Sequence, residues 1–417
     1  MRIICIPRNL GHCCAKHRAQ RLAATAALSC LVLQFGLSMT TARADDGPLG
    51  SFVALRAEEL SEGWIALFDG QSLFGWTAAS DANWRVDNGT IRVDGGEPGL
   101  LFTDSQFADY ELSLEFRAAV GSNSGVFLHT PPRPTAPAVD CYELNIAPPE
   151  NPFPTASFVG RQKSSAADVD DGQWHAFDVV LRGGQISVRL DGKLVLEYRD
   201  PQPLSRGHIG LQLNQGTVEF RSIRLKPLGY QRLLQAGSLG GWRVYPDKAA
   251  EFKVSDDAEL WVRGGNGQLE TEGEWADFIL RTEVFVNGEG LNSGIFFRSI
   301  PGEFWQGYES QIQNAFRSAR DEPVDCGTGG FYRRQDARWV AADDFTWFHK
   351  TLVVCDDQMA TWVNGLQVSN WTDTRAANTN PRRGLRREAG TIVLQAHDPT
   401  TNLRFRNMAV AEISDRR

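Results

Sequence analysis

The amino-acid sequence predicts an all-β protein built from two tandem antiparallel sandwiches, and two observations support that fold class. The first is a series of short segments in which apolar and polar residues alternate, such as residues 110–116 (YELSLEF) and 186–190 (ISVRL), the latter followed directly by the turn pair Asp191-Gly192. Alternation with a period of two between turn residues is typical of β-strands, and many such strands favour a sandwich or jelly roll. The second observation is that the whole pattern occurs twice.

Six segments of the first half recur in the second half in the same order. The matched segments are 123–128 and 292–297 (NSGVFL and NSGIFF), 142–146 and 308–312, 174–175 and 347–348, 190–192 and 363–365, 210–214 and 393–397, and 220–223 and 405–408. Such self-similarity predicts two copies of one structural unit, which divide near residues 227–229. We therefore expect a first domain over residues 61–228 and a second over residues 229–417, each large enough for its own core.

The beginning of the chain has the pattern of an export signal. No acidic residue precedes Asp45, basic residues come before an apolar stretch over residues 23–39, and Ala42 and Ala44 follow that stretch. This pattern predicts a signal peptide over residues 1–44, removed after Ala44, and an N-terminal linker over residues 45–60. An uncleaved anchor is the alternative, although the apolar stretch is short for a membrane span. The mature chain is expected in the periplasm or outside a bacterial cell, without a transmembrane segment.

Composition narrows the possible partners. The chain has 43 Lys and Arg against 51 Asp and Glu, a net charge of −8. A nucleic-acid binder needs a basic face, so that class is excluded. Cys141, Cys326 and Cys355 remain after the leader, match no zinc spacing, and leave open whether Cys141 pairs with Cys326. No cofactor is predicted, and the sequence leaves open whether a divalent metal such as calcium is used.

Several motifs in order resemble one known family. They are the opening FDGQSLFGW (68–76), the Asn-Ser-Gly strands, Tyr-Glu-x-Gln at 308–311, Leu-Gln-x-His at 394–397, and the closing strand at 405–408. The sequence resembles the 3-keto-disaccharide hydrolase domain family (domain of unknown function 1080), in two tandem copies. The resemblance implies concanavalin A-like (LamG-like) jelly rolls with a sugar-handling concave face, and glycoside metabolism outside the cytoplasm.

The alternation along three segments of the second half places a set of polar side chains on one face. Residues 292, 294, 296 and 298 share one side of the first segment, 309 and 311 of the next, and 393, 395 and 397 of the last. The polar members of this face are Asn292, Arg298, Glu309, Gln311, Gln395 and His397. Planar donors and acceptors beside aromatic side chains suit sugar hydroxyl groups and C–H faces. Trp305 is therefore added as a possible stacking residue.

The two copies match the family pattern unevenly. The second copy keeps the polar residues of this face but has a changed opening, residues 235–239 (QAGSL). The first copy keeps the opening but has His129, Glu143, Asn145, Gln212 and Asn214 at the corresponding polar positions. This difference favours an active second domain and a first domain used for binding or support. The predicted catalytic residues are Glu309, His397 and Arg298. The predicted substrate-binding residues are Asn292, Gln311, Gln395, Trp305, Glu143, Gln212 and His129, and no metal-binding residue is predicted.

The expected chemistry follows from the number of carboxylates. A conventional glycosidase uses two carboxylates that flank the bond, and only Glu309 is well placed on the predicted face. A 3-keto sugar needs one base, because its carbonyl acidifies the neighbouring C–H bond and the C1 substituent can leave by elimination before water adds back. Glu309 and His397 are the expected acid/base pair, their individual roles left open, with Arg298 stabilising the enolate. The alternatives are a lectin-like carbohydrate-binding protein and a non-catalytic scaffold.

Overall fold

The computed structural model describes residues 52, 54–166, 169 and 171–413. The expected signal peptide (1–44) and half of the expected linker (45–51 and 53) lie outside the described residues. The described chain is almost entirely strand and turn, arranged in four sheets, so the all-β prediction is confirmed. Its two short helices are α1 (Ala57–Glu62), which begins inside the expected linker, and α2 (Pro137–Asp140). Neither described helix has the length and apolar character needed to cross a bilayer.

The first sandwich contains thirteen strands in two antiparallel sheets. They are β1 (Ile65–Ala66), β2 (Trp76–Ala78), β3 (Arg85–Asp87), β4 (Thr90–Val93), β5 (Gly99–Thr103), β6 (Tyr110–Ala118), β7 (Ser124–Thr130), β8 (Tyr142–Ile146), β9 (His175–Arg182), β10 (Gln185–Leu190), β11 (Lys193–Arg199), β12 (His208–Leu213) and β13 (Val218–Pro227). The larger sheet has the order β11-β10-β9-β6-β13-β4-β3, with β1 also paired to β13. The smaller sheet has the order β2-β5-β12-β7-β8.

The second sandwich repeats this arrangement with thirteen further strands. They are β14 (Gln231–Arg232), β15 (Trp242–Val244), β16 (Glu251–Val254), β17 (Leu260–Arg263), β18 (Gly267–Trp275), β19 (Phe278–Val286), β20 (Ser293–Ser299), β21 (Tyr308–Ile312), β22 (Trp347–Cys355), β23 (Gln358–Val363), β24 (Leu366–Thr372), β25 (Gly390–Ala396) and β26 (Asn402–Glu412). The larger sheet has the order β16-β17-β26-β19-β22-β23-β24, with β14 on β26, and the smaller has the order β15-β18-β25-β20-β21.

Period-two alternation builds the cores. In β10 the side chains of Ile186, Val188 and Leu190 are buried, whereas Gln185 and Arg189 on the other face are exposed. Burying an aliphatic side chain of this size contributes about 1.5–3 kcal/mol, so this face is fixed against a one-residue slip. In the two smaller sheets, the strands β7, β8, β21 and β25 are buried on both faces.

A bulge interrupts the same strand pairing in both sandwiches. The register shifts between His208 and Gly210 where β12 meets β7, and between Phe296 and Ser299 where β20 meets β25. At this level His129 and Arg298 have left-handed backbone φ angles of 50° and 44°. An extra residue at a bulge ends the simple alternation of faces. Side chains at and beyond this point therefore do not follow the pattern of the strand before it.

The two sandwiches pack on each other through buried contacts. Trp362 of the second sandwich is 1% exposed, belongs to the core of the first, and donates from Nε1 to the Ala66 carbonyl at 2.8 Å. Asp69 of the opening motif accepts backbone N–H groups in its own turn and pairs with Arg338 of the second sandwich at 2.7 Å. The opening motif of the first copy therefore also joins the two copies.

An acidic cluster at the same contact is neutralised by arginines. Asp277, Cys355 and Asp356 offer three ligand atoms within 4.8 Å of one another. Arg206 of the first sandwich pairs with both carboxylates, and Arg298 pairs with Asp277 at 2.8 Å. Cys355, like Cys141 and Cys326, is a buried free thiol, so Cys141 and Cys326 do not form a disulfide in this structure.

Candidate active site

The smaller sheet of the second sandwich gathers most of the predicted polar residues on one face. Phe296 lies opposite both Glu309 and Val393, and Gly294 lies opposite Gln311. Gln395 lies opposite Gln268 on the next strand. Because directly paired residues in an antiparallel sheet point to the same side, these side chains share one face.

Gly294 leaves the space that the Glu309 side chain occupies. A Cβ at position 294 would lie 2.8 Å from Glu309 Oε1 and 3.0 Å from its Cγ. The glycine of the Asn-Ser-Gly motif thus allows the Glu309 carboxylate to lie over the neighbouring strand instead of extending to solvent. A larger residue at position 294 would displace that carboxylate.

Glu309 forms an ion pair with an arginine from a loop. Arg382 Nη2 lies 3.0 Å from Glu309 Oε2, and Arg382 Nε donates to the Trp305 carbonyl oxygen at 3.2 Å. Burial raises the pKa of the Glu309 carboxyl above its ordinary value, and the charge of Arg382 opposes that rise. Oε1 has no ion-pair partner among the described residues, so the ion pair engages only one of the two carboxylate oxygens.

His397 lies beside Trp305 at the edge of the same face. The two rings are parallel, with an interplanar angle of 4° and centroids 6.0 Å apart, and Trp305 also stacks on Phe296. His397 Nδ1 lies 2.9 Å from Asp398 Oδ2. A carboxylate at Nδ1 holds that nitrogen as the donor and leaves Nε2 for a substrate. An adjoining hollow of about 250 Å³ is lined by Glu309, Arg382 and the loop segment 331–334.

The amide side chains on this face have unused hydrogen-bonding atoms. Gln311 donates to the backbone and side chain of Asp325 at 2.9 and 3.0 Å, and Asn292 donates to the same carboxylate at 2.6 Å. Among the described residues, Gln311 Oε1, Gln395 Oε1 and Gln268 Nε2 are buried without a partner. Unpaired buried polar atoms are costly, and sugar hydroxyl groups can both donate to the oxygens and accept from the nitrogen.

Arg298 does not lie on this face, contrary to the prediction. Its side chain is 0% exposed and points into the contact between the sandwiches, where it pairs with Asp277. It also donates to the backbone carbonyls of Ala276, Asp356 and Arg386 at 2.7–2.9 Å. The bulge after Phe296 and the left-handed backbone at position 298 reverse the direction that alternation predicts.

His129, at the corresponding position of the first sandwich, is also directed inward. It is 2% exposed, and its ring nitrogens lie 3.1 and 2.7 Å from the carbonyl oxygens of Leu204 and Ala108. Contrary to the prediction, its side chain therefore does not lie on the polar face. Both copies use this bulge position to satisfy buried carbonyl groups.

The first sandwich keeps part of the polar face without the arginine. Gln212 Nε2 lies 3.3 Å from Glu143 Oε1, and no cation is paired with Glu143 among the described residues. Burial raises the pKa of Glu143 to about 7. An open hollow of about 650 Å³ beside this pair is lined by Gln212, Asn214, Phe127 and several prolines.

Arg382 is the main site residue that sequence reasoning missed. It lies in the loop between β24 and β25, which has seventeen residues (373–389), whereas the corresponding loop between β11 and β12 has eight (200–207). The loop has no periodic pattern from which its position could be predicted. The available signal was the difference in loop length between the copies, together with the four arginines at 382–383 and 386–387.

A second carboxylate on the same sheet, that of Glu270, was also not predicted from the sequence, but hydrogen-bond donors of the protein already surround it. Glu270 is 0% exposed and accepts hydrogen bonds from Thr391 Oγ1 at 2.8 Å, from the Gly302 backbone N–H at 3.0 Å and from the Tyr245 hydroxyl. It holds the loop that carries Trp305. A carboxylate with this many donors is a structural acceptor, so Glu270 does not supply the second acid of a conventional glycosidase.

A buried lysine lies beneath the site. Lys350 is 2% exposed, and its Nζ donates to the Gln311 carbonyl oxygen at 2.8 Å. It comes three residues after Trp347, as the core residue Phe177 comes three residues after Trp174. Burial lowers the pKa of Lys350 to about 7, opposed by the negative charge of Glu309.

Lys350→Met is expected to remove a pH dependence of stability. The folded pKa is about 7 and the ordinary value is 10.5, so between these values the unfolded chain binds more protons than the folded chain. The free energy of unfolding of the wild type should therefore rise with pH, relative to the variant, by about 1.4 kcal/mol per pH unit. Urea unfolding of both proteins between pH 6 and pH 9.5 measures this difference. Parallel curves over that interval would show that Lys350 is charged in the folded state.

The fold and the site together define a class of protein: a tandem concanavalin A-like sandwich with a polar and aromatic hollow of the kind that sugars occupy. The chain belongs to the 3-keto-alpha-glucoside-1,2-lyase-like domain family, whose model matches residues 63–226 and 229–411. The two matched segments confirm the resemblance and the tandem copies predicted from the sequence.

One curated relative and several solved structures are similar to this chain. The 3-keto-disaccharide hydrolase of Bacteroides thetaiotaomicron is 24% identical over 231 residues, which are 40% of this chain and 79% of that protein. A provisionally named glycosyl hydrolase from Parabacteroides distasonis is 19% identical with a TM-score of 0.38, covering 42% of this chain and 98% of its own. The carbohydrate-binding module CBM66 of Bacillus subtilis is 15% identical with a TM-score of 0.29, covering 36% and 95%.

Proposed function

We propose that the second sandwich cleaves the glycosidic bond of 3-keto-glycosides, such as 3-keto-disaccharides, by elimination followed by hydration. One observation carries this proposal: the Glu309–Arg382 pair lies on the same sheet face as the unpaired amide oxygens of Gln311 and Gln395. That face offers Glu309 as a general base, Arg382 as a cation, and acceptors for hydroxyl groups. The name of the Bacteroides relative, a 3-keto-disaccharide hydrolase, supports the substrate class.

Glu309 acts as the base that removes the proton from C2 of the sugar. The electron pair moves into the C3 carbonyl as an enolate, and the Arg382 guanidinium stabilises the enolate oxygen. As the carbonyl re-forms, a double bond forms between C1 and C2 and the C1–O bond breaks. His397, held at Nδ1 by Asp398, gives its proton to the leaving oxygen.

Water then completes the reaction. Its oxygen adds to C1 of the new double bond and its proton passes to His397, while Glu309 returns a proton to C2. One water molecule is consumed and the glycosidic bond is replaced by a hydroxyl group, so the sum is a hydrolysis with no oxidant or reductant. Burial of Glu309 suits both steps, because a raised pKa brings the carboxyl closer to the working pH as a base and then as an acid.

The direct test is turnover of 4-nitrophenyl 3-keto-glucoside, with the unoxidised 4-nitrophenyl glucoside as the matched substrate. The proposal predicts release of nitrophenol from the keto compound only, since elimination needs the C3 carbonyl. Equal release from both compounds would indicate conventional hydrolysis, and no release from either would leave binding as the function.

Binding without turnover is proposed as a second function, for the first sandwich. Its hollow of about 650 Å³ is large enough for a disaccharide, and Gln212 Oε1 is buried there without a partner. Asn214 stands at the position of His397, so this copy has no imidazole to protonate a leaving group. The first copy therefore suits the lectin-like alternative, whereas the second suits the enzyme.

Gln212→Ala is expected to weaken binding of neutral disaccharides at the first hollow by about tenfold, the effect of one hydrogen bond that leaves a buried partner unpaired. Isothermal titration with a panel of unoxidised disaccharides measures this affinity, with Gln395→Ala in the second sandwich as the matched control. A loss of binding only in the control would place the binding site in the second hollow.

Export completes the proposed function. The predicted leader over residues 1–44 would carry the enzyme to the periplasm or the medium, where glycosides from the surroundings arrive. The N-terminal sequence of the protein recovered from each cell fraction tests this, and Asp45 is the expected first residue.

A further inference from the structure

The hollow next to Glu309 carries more positive than negative charge. Its lining includes the three arginines Arg333, Arg334 and Arg382, and one carboxylate, that of Glu309. Arg382 is paired with that carboxylate. The other two guanidinium groups therefore give the hollow a local excess of positive charge, although the whole chain has a net charge of −8.

Neither of these two arginines has a carboxylate partner in the described part of the chain. Arg334 donates only to backbone carbonyls, those of Arg333 at 3.1 Å and Arg382 at 2.9 Å. Arg333 contacts the ring of Tyr332, with its guanidinium carbon 5.1 Å from the centroid. Arg382 lies 5.6 Å from the same ring centroid, so two cations flank one aromatic side chain in the hollow.

The first sandwich provides an internal comparison for Arg334. Phe158 bridges Gln162 there as Phe331 bridges Gln335 here, so Arg161 corresponds to Arg334. Arg161 is neutralised by Asp200 at 3.0 Å, and Asp200 also accepts the hydroxyl of Tyr142.

In the second sandwich the corresponding aspartate, Asp373, forms its ion pair with a different arginine, Arg375. Asp373 accepts the Tyr308 hydroxyl at 2.8 Å, as Asp200 accepts that of Tyr142, but its ion pair is with Arg375 at 2.8 Å. Arg334 is thereby released from its carboxylate and lines the hollow. Gly160 of the first copy stands where the second has Arg333, so both unpaired charges are specific to the second copy.

The backbone conformation of Arg333 and the charges around Arg334 both favour an anion-binding site in this hollow. Arg333 has a left-handed φ of 59°, a conformation that costs a non-glycine residue free energy, whereas Gly160 adopts φ 70° without that cost. The pKa of Arg334 lies below its ordinary value because of burial and the positive charges of Arg375 and Arg382, and the negative charge of Asp373 opposes this shift. An anion in the hollow would relieve that repulsion.

We propose that the substrate of the second sandwich carries an anionic group, a carboxylate or a sulfate ester, which binds Arg333 and Arg334 while the keto sugar lies against Glu309. This inference deepens the proposed function and rests on it for the reactive end of the substrate. Planar guanidinium groups bind both types of oxyanion in the same way, so the chemistry that recognises them is shared.

The test compares three 4-nitrophenyl 3-keto-glycosides: the neutral glucoside, the glucuronide and the glucoside 6-sulfate. The ratio of kcat/KM for each anionic compound to that for the neutral compound is the readout. If no compound is turned over, the ratio of affinities from isothermal titration replaces it, so that failure of the proposed reaction does not prevent the measurement. We expect a preference of about tenfold at low ionic strength, which decreases as salt is added.

The variants decide whether the arginines cause the preference. Arg333→Gln with Arg334→Gln should bring the ratio close to one. Arg387→Gln is the matched control, because this exposed arginine of the same region pairs with Asp357 and does not line the hollow. A uronate preference without a sulfate preference, or the reverse, identifies the anion. Equal use of all three compounds, or a preference that survives the double substitution, would overturn the proposal.

Discussion

Glu309→Gln is expected to lower kcat on a 3-keto-glucoside by about 10²- to 10⁴-fold, the usual contribution of a general base. The amide keeps the size of the side chain and the space beside Gly294, but it cannot remove the C2 proton. Because Arg382 would still contact a side-chain oxygen, KM should change little. Steady-state kinetics with thermal unfolding of both proteins tests this expectation.

Glu143→Gln is the matched control for that experiment. It makes the same chemical change at the corresponding position of the first sandwich, where the carboxyl contacts Gln212 and has no arginine. We expect its kcat to equal that of the wild type. A loss of only about twofold in each variant would mean that both copies catalyse the reaction, and a loss only in Glu143→Gln would move the active site to the first sandwich.

Arg298→Met is expected to destabilise the protein by about 3–5 kcal/mol, because it removes the cation from a buried ion pair and leaves backbone carbonyls unpaired. Arg298 is completely buried and bonds Asp277 and three carbonyl groups. The loss should be visible as a lower midpoint in urea, while the protein that remains folded keeps its kcat.

Arg382→Met is the comparison for Arg298→Met. It should keep most of its stability and lose kcat, whereas Arg298→Met should lose stability and keep kcat. The ion pair of Arg382 is partly exposed, so the free energy of unfolding should fall by no more than about 1 kcal/mol. Losing this cation removes the interaction that lowers the pKa of Glu309, so the acid limb of the pH–rate profile should move to higher pH. A catalytic defect in Arg298→Met at full stability would support the role that the sequence alone predicted for Arg298.

Regular alternation explains which site residues could be predicted. Glu309, Gln311 and Gln395 lie on strands whose residues follow the two-residue period, and the structure places them on one face. The same rule failed at Arg298 and His129, because a bulge and a left-handed residue follow the regular part of the strand in each copy. Sequence alternation contains no sign of that extra residue.

The alternation of apolar and polar residues along strands could not predict where loop residues lie. Arg382, Arg334 and Asp325 reach the site from segments without periodicity, so their positions depend on tertiary packing. The burial of Lys350 was not predicted for a different reason. It occupies a core position on a strand, where residues are usually apolar. Comparing the copies position by position would have singled it out, since the first copy has Phe177 there.

The most direct measurement is a crystal structure of the Glu309→Gln variant soaked with a 3-keto-disaccharide. We expect the keto sugar to occupy the second hollow, with its C2 beside residue 309, its C3 oxygen near the Arg382 guanidinium and its glycosidic oxygen on the His397 side. Density for the sugar only in the first hollow, or in the second with C2 turned away from residue 309, would contradict it.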